Sequence, residues 1–165
     1  MNSGALVQIL QATLSNEATT RRAAESTFMS TWVPQPDHLY PTLLSIMQNA
    51  QIPEEVRCTA AVFFRRWIAR AVTEGSDEED SSAALFHLTD PKAVQTGLLT
   101  AFTTCDSKLV RKRLADAIGQ VASLISRYEE WQELVQLTIS SLQQGKNSEG
   151  GICILILILI LIFSR

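Results

Sequence analysis

The sequence predicts an all-α fold in which 165 residues form an α-solenoid of about three and a half helical pairs. Apolar side chains recur at spacings of three and four residues along almost the whole chain, as in helices with one buried face. Prolines and residues that cap helices separate these stretches. An arginine recurs in the first turn of each second helix, and similar residues follow it at the same distances. The chain is 46% hydrophobic, enough to bury a core.

The first predicted pair covers about residues 5–32. Its first helix has an apolar stripe made of Leu6, Ile9, Leu10 and Leu14. We expect Asn16 to open the second helix and the sequence VPQP to end it, because a proline disfavours helix in the residue before it.

The second predicted pair covers about residues 37–72. A leucine-rich helix over residues 37–50 precedes Pro53, and proline is tolerated at the start of a helix. The helix that follows has the most strongly apolar face of the chain. Its stripe consists of Val56, Ala60, Phe63, Phe64, Trp67, Ile68 and Ala71.

An acidic insertion at residues 74–82 separates this pair from the third, which covers about residues 91–127. The insertion contains five acids and no base, so we expect a solvated loop, although it could also hold a basic partner. Asp90 can cap the next helix with Pro91 in its first position, and Asp106 or Ser107 can cap the one after it. A half pair at residues 128–144 completes seven helices. The solenoid thus occupies residues 1–145.

The second helices repeat in register when they are aligned on Arg21, Arg57 and Arg111. A small or apolar residue follows each arginine after three positions, and a large apolar residue follows after seven; these residues are Ala24, Ala60 and Leu114, then Phe28, Phe64 and Ile118. The intervals are 36 and 54 residues, and the extra 18 match residues 73–90 around the acidic insertion. Helical pairs of this length are typical of solenoids of the HEAT or armadillo kind.

Three stretches of the sequence resemble the N-terminal HEAT repeats of the importin beta, or karyopherin beta, nuclear transport receptors. They are LQATLSNEATTRRAAESTF, EEVRCTAAVFFRRWIARAV and KLVRKRLADAIGQVA. In the middle stretch Arg57 and the alanines after it are followed by a bulky pair and then by the basic pair Arg65 and Arg66. The resemblance covers roughly residues 6–144 and is nearest to the branch that imports ribosomal proteins and histones.

This resemblance implies a protein-binding function in protein import into the nucleus, with the chain moving between cytoplasm and nucleus. In such receptors the second helices line the inner surface, the small GTPase Ran binds the first repeats in its GTP form, and cargo binds further along. The implied partners are therefore Ran-GTP and a basic protein cargo. The resemblance implies no enzymatic activity and no cofactor.

The candidate partner-binding residues are basic side chains on the predicted second helices. They are Arg22, Arg65, Arg66, Arg70, Lys112 and Arg113. Alternatively, such side chains only keep a helical face solvated while their stems cover apolar surface. For the register arginines Arg21, Arg57 and Arg111 we expect a structural role, hydrogen bonding to neighbouring repeats.

Other functional classes have little support in the sequence. A net charge of −3 gives no basic footprint for direct nucleic-acid binding. His38 and His87 have no cysteine or acidic partner at ligand spacing, so we expect neither a metal site nor a general base. Three cysteines without a C-x-x-C motif fit a reducing compartment. We expect the three tryptophans to pack in the core.

Residues 146–165 do not fit the repeat pattern. Residues 152–163 are unbroken apolar sequence in which isoleucine and leucine alternate. A helix of this length would span about 18 Å against the ~30 Å hydrocarbon core, so we do not expect a membrane anchor. The segment could instead cap the fourth pair, but it has no polar face. We interpret it as the product of a truncated or misread coding region. The alternative function is a small HEAT scaffold that this tail attaches to a membrane or an oligomer.

Overall fold

The computed structural model describes residues 2–74, 88–125 and 131–143. Within these ranges the chain forms seven helices and no strand, so the all-α prediction is confirmed. The helices are α1 (Ser3–Thr13), α2 (Ala18–Thr31), α3 (Pro36–Gln48), α4 (Glu54–Glu74), α5 (Pro91–Thr104), α6 (Lys108–Ile125) and α7 (Gln132–Gln143). All but one residue of the acidic insertion, and the whole Ile/Leu tail, lie outside the described residues.

Neighbouring helices pack as successive pairs. Helix α1 packs against α2, α3 against α4, and α5 against α6. Between pairs, α3 contacts both α1 and α5, and α4 packs closely against α6. Helix α1 also contacts α4. First helices therefore stack on first helices, and the second helices α4 and α6 stack on each other, as in a solenoid.

The core lies between the two layers of helices. Its largest fully buried side chains include Phe28, Leu43, Met47, Phe64, Leu98 and Ile118. The ring of Phe28 meets Phe63 edge-on at 4.7 Å between centroids, and Tyr40 meets Phe64 in the same way at 5.1 Å. Trp32, Trp67 and Trp131 are all buried, as expected for packing residues.

The starts of α5 and α6 agree with the sequence prediction. The Asp90 carboxylate accepts a hydrogen bond of 2.9 Å from the Ala93 N–H, with Pro91 in the first helical position. The Ser107 hydroxyl accepts one of 3.1 Å from the Val110 N–H, so Ser107 rather than Asp106 caps α6.

The prediction that Asn16 opens α2 is wrong. The residue before α2 is Glu17, whose side chain makes no cap hydrogen bond to the backbone. Its carboxylate instead accepts hydrogen bonds from the hydroxyls of Thr19 and Thr20, at 2.7 and 2.6 Å. The Ser15 hydroxyl accepts from the Glu17 N–H and so orders the turn. The helix therefore begins at Ala18, one residue later than a cap at Asn16 would place it.

None of the helices in the described ranges combines the length and the apolar character needed to cross a membrane.

Candidate protein-binding surface

The basic residues predicted to bind a partner lie on the three second helices. Arg22 is exposed on α2, Arg65 and Arg66 on α4, and Lys112 and Arg113 on α6. Arg70 also belongs to α4, but its side chain is outside what the structure describes. The solenoid therefore presents the five described cations on one set of helices, and two of those helices, α4 and α6, pack together.

The repeat register gives these cations a regular placement. Arg22 and Lys112 each follow the register arginine of their own helix by one position, and Cys58 occupies that position in α4. Equivalent positions of stacked helices lie along the stacking direction of a solenoid. Arg22 and Lys112 thus occupy the same register position in the first and third repeats.

Large apolar side chains are exposed one turn before two of the cations. Val62 is 46% exposed and precedes Arg66 by four residues, and Leu109 is 48% exposed and precedes Arg113 by four. Residues four apart in a helix are neighbours on its surface. An exposed apolar side chain beside an arginine suits a protein interface, where arginine is enriched.

Arg113 also has a partner on its own helix. Its guanidinium lies 3.7 Å from the Asp116 carboxylate, and both side chains are partly exposed. Exposed pairs of this kind contribute little to stability. This pair therefore leaves Arg113 accessible to a stronger acidic partner.

The three register arginines bond to the ends of first helices. The guanidinium of Arg21 donates to the Ser15 carbonyl at 2.7 Å, and that of Arg111 donates to the Cys105 carbonyl at 2.6 Å. Both carbonyls follow the first helix of the same repeat. The prediction of hydrogen bonds to neighbouring repeats is thus wrong for these bonds of Arg21 and Arg111. In each case the guanidinium lies close to the carbonyl end of the first helix of its own repeat, where carbonyls lack a helical donor.

Arg57 forms hydrogen bonds both within its own repeat and to the next repeat. Its Nε donates to the Met47 carbonyl of its own repeat at 3.0 Å, and its Nη2 donates to the Asp106 carboxylate of the next repeat at 2.7 Å. The Asp106 pKa is lowered, mainly by the hydrogen bond from Arg57. Glu54 and the Ser107 hydroxyl share a further hydrogen bond between the same two repeats. These contacts fix α4 relative to α6 and so fix the spacing of the cations on them.

A pocket between α3 and α5 was not predicted from the sequence. It has a volume of about 400 Å³ and is lined by Asp37, Pro41, Leu44, Leu88, Thr89, Asp90, Ala93 and Val94. The lining residues that the structure describes lie on α3, on α5 or directly before α5, and none of them belongs to a second helix. Two signals in the sequence could have pointed to it: Pro41 inside an amphipathic helix, and an adjacent proline and aspartate at the start of both α3 and α5.

No group of three or more histidine, cysteine, aspartate or glutamate side chains is placed to hold a metal ion in the described part of the chain.

The fold matches that of solved karyopherin structures. Kap121p bound to Pho4p has a TM-score of 0.71 and 22% sequence identity, and the match covers 98% of this chain and 15% of that one. Kap121p bound to the SUMO protease Ulp1p gives a TM-score of 0.72 at the same identity, covering 98% and 14%. A structure of Kap121p without a named partner gives 0.70 at 24% identity, covering 99% and 15%.

These matches confirm, at the level of the fold, the resemblance to importin beta-type HEAT repeats. The chain spans about 15% of the length of the Kap121p chains that it matches. No family model matches the sequence, and no curated protein does.

Proposed function

We propose that this chain is part of a nuclear transport receptor, and that its second helices bind the small GTPase Ran in the GTP form. The observation that supports this most strongly is the karyopherin fold over 98% of the chain. The fold alone does not choose a partner. The exposed cations of α2, α4 and α6 suit a partner with an acidic surface.

The proposal extends to cargo and to cellular location. Kap121p has been solved bound to Pho4p, Ste12p, Ulp1p and Nup53p, so that protein binds other proteins. For this chain we propose a basic protein cargo of the ribosomal-protein or histone kind, and movement between cytoplasm and nucleus. In this proposal the chain acts by binding proteins and not by catalysis.

A pull-down of the whole chain with Ran tests the first part. Ran loaded with a non-hydrolysable GTP analogue should be retained, and Ran loaded with GDP should not. Because Arg66 is exposed beside Val62, Arg66→Glu should reduce retention at least tenfold. Lys92→Glu makes the same charge change on the first helix α5 and is the matched control. Equal retention of both nucleotide forms would contradict the proposal.

A further inference from the structure

The pocket between α3 and α5 has apolar walls. Leu44, Leu88 and Val94 are buried beside it, and the ring of Pro41 completes one side. Its volume of about 400 Å³ lies within the range of pockets that bind ligands, roughly 300–1,000 Å³. The pocket can therefore accept at least one long side chain from another molecule.

The polar groups of the pocket lining are mostly hydrogen-bond acceptors. The Asp37 carboxylate accepts from the N–H and the hydroxyl of Thr89, at 2.8 and 2.7 Å, which occupies both donors of that threonine. The Asp90 carboxylate accepts from the Ala93 N–H. Pro41 has no N–H, so the carbonyl of Asp37 lacks the helical hydrogen bond that residue 41 would otherwise donate.

The part of the lining that the structure describes also has a net negative charge. Among these residues are the two carboxylates of Asp37 and Asp90 and no lysine, arginine or histidine. The hydrogen bonds from Thr89 lower the Asp37 pKa, so this group stays ionised at neutral pH. A ligand that fits must therefore bring donors and positive charge to the rim and apolar surface to the walls.

We propose that this pocket binds a lysine or arginine side chain from a basic segment of a partner protein. The aliphatic stem would lie against Leu44 and Val94, and the charged head would meet the carboxylates of Asp37 and Asp90. Lysine and arginine commonly bury their stems in this way while the charge stays at the surface. The identification of the partner as a cargo protein rests on the proposed function. The binding of a basic side chain by the pocket does not rest on it.

Fluorescence anisotropy of a labelled peptide of alternating lysine and leucine, titrated with the whole chain, tests the inference. The double variant Asp37→Asn, Asp90→Asn should weaken binding at least tenfold. The asparagine at position 37 has one amide oxygen, which can still accept from the Thr89 N–H, while its NH2 group can donate to the Thr89 hydroxyl. The asparagine at position 90 can still accept from the Ala93 N–H, so the start of α5 is preserved. The control Glu55→Gln, Glu133→Gln removes two carboxylates from α4 and α7 and should change affinity less than twofold.

A second variant fills the pocket without changing its charge. Ala93→Phe places a ring at an exposed position of the lining and should also weaken peptide binding at least tenfold, with circular dichroism confirming the helical content. Unchanged binding by this variant would overturn the inference, as would an equal loss in the carboxylate control. Equal binding of a leucine–glutamine peptide would overturn it in favour of a purely apolar occupant. Failure of the Ran pull-down with peptide binding intact would contradict only the proposed function.

Discussion

Arg57 and Asp106 form an ion pair between the second and third repeats, with 2.7 Å between the guanidinium Nη2 and the carboxylate Oδ1. The arginine side chain is 4% exposed and the aspartate 63%. The cation is thus buried, while its partner reaches it from the surface. The same guanidinium also satisfies the Met47 carbonyl. One side chain therefore joins α3, α4 and the turn before α6.

We expect Arg57→Ala to lower the free energy of unfolding by about 3 kcal/mol, because it removes a charge-assisted hydrogen bond and leaves the Met47 carbonyl without this donor. Arg57→Lys should recover only part of the loss, since an ammonium group cannot reproduce the guanidinium fork. Urea unfolding followed by circular dichroism measures both. Arg65→Ala, at an exposed position of the same helix, should change stability by less than about 0.5 kcal/mol. A similar loss in both alanine variants would contradict a special role for Arg57.

Stability should fall in acid partly through Asp106. The hydrogen bond from Arg57 holds the pKa of this carboxyl below its ordinary value of 3.8 in the folded chain. A lowered folded pKa gives stability that is fully present above the unfolded pKa and is lost as the pH falls through the folded one. Thermal unfolding measured from about pH 6 to pH 2 should therefore show a decline below about pH 5. Asp106→Asn should reduce that decline and be less stable than the parent at neutral pH. An identical acid dependence in parent and variant would show that the Asp106 pKa is not shifted.

Phe28→Ala should detach α2 from the rest of the solenoid. Only Ala24 and Phe28 are buried on α2, and Phe28 meets both Phe63 and Trp67 of α4. Truncating a buried phenylalanine costs about 3–5 kcal/mol. Hydrogen exchange should show faster exchange in α2 than in α5 and α6. Met29→Ala, at a 39% exposed neighbour, should leave the exchange pattern of the parent.

Gly97→Ala should couple energetically to Leu44. A Cβ at position 97 would lie 2.7 Å from Cδ1 of Leu44, whose side chain is buried. Alanine is favoured over glycine in a helix by about 1 kcal/mol, but overpacking costs about 1–3 kcal/mol. In the Leu44→Val background, which lacks that Cδ1, Gly97→Ala should instead stabilise the chain. A double-mutant cycle should give a coupling of about 1–2 kcal/mol, and a value near zero would contradict the contact.

The helical pattern of the fold could be predicted because it depends on local sequence. The spacing of apolar residues identified the seven helices, and Asp90 with Pro91 marked the start of α5 because the cap and the proline act within one turn. Asn16 was a wrong choice because several polar residues in that turn compete for the same backbone groups, and sequence alone does not rank them.

Contacts between residues far apart in the sequence were less predictable. The repeat register predicted a structural role for Arg57, but it did not identify Asp106 of the next repeat as the partner of its guanidinium. The exposure of the five described cations could be predicted because surface positions of the second helices follow from the repeat register, whereas their binding of a partner stays a prediction. The α3–α5 pocket could not be found in this way, since residues more than 40 positions apart along the chain line it.

The contact between Gly97 and Leu44 bears on the shape of the whole array. The angle between adjacent helical pairs depends on how closely their first helices and their second helices approach each other. At Gly97 a missing side chain allows α5 to approach α3, while Arg57 and Asp106 hold the second helices together. We expect a larger residue at position 97 to increase the distance between the first helices, while that ion pair keeps the second helices at their spacing. The curvature of the solenoid should therefore depend on the size of the residue at position 97.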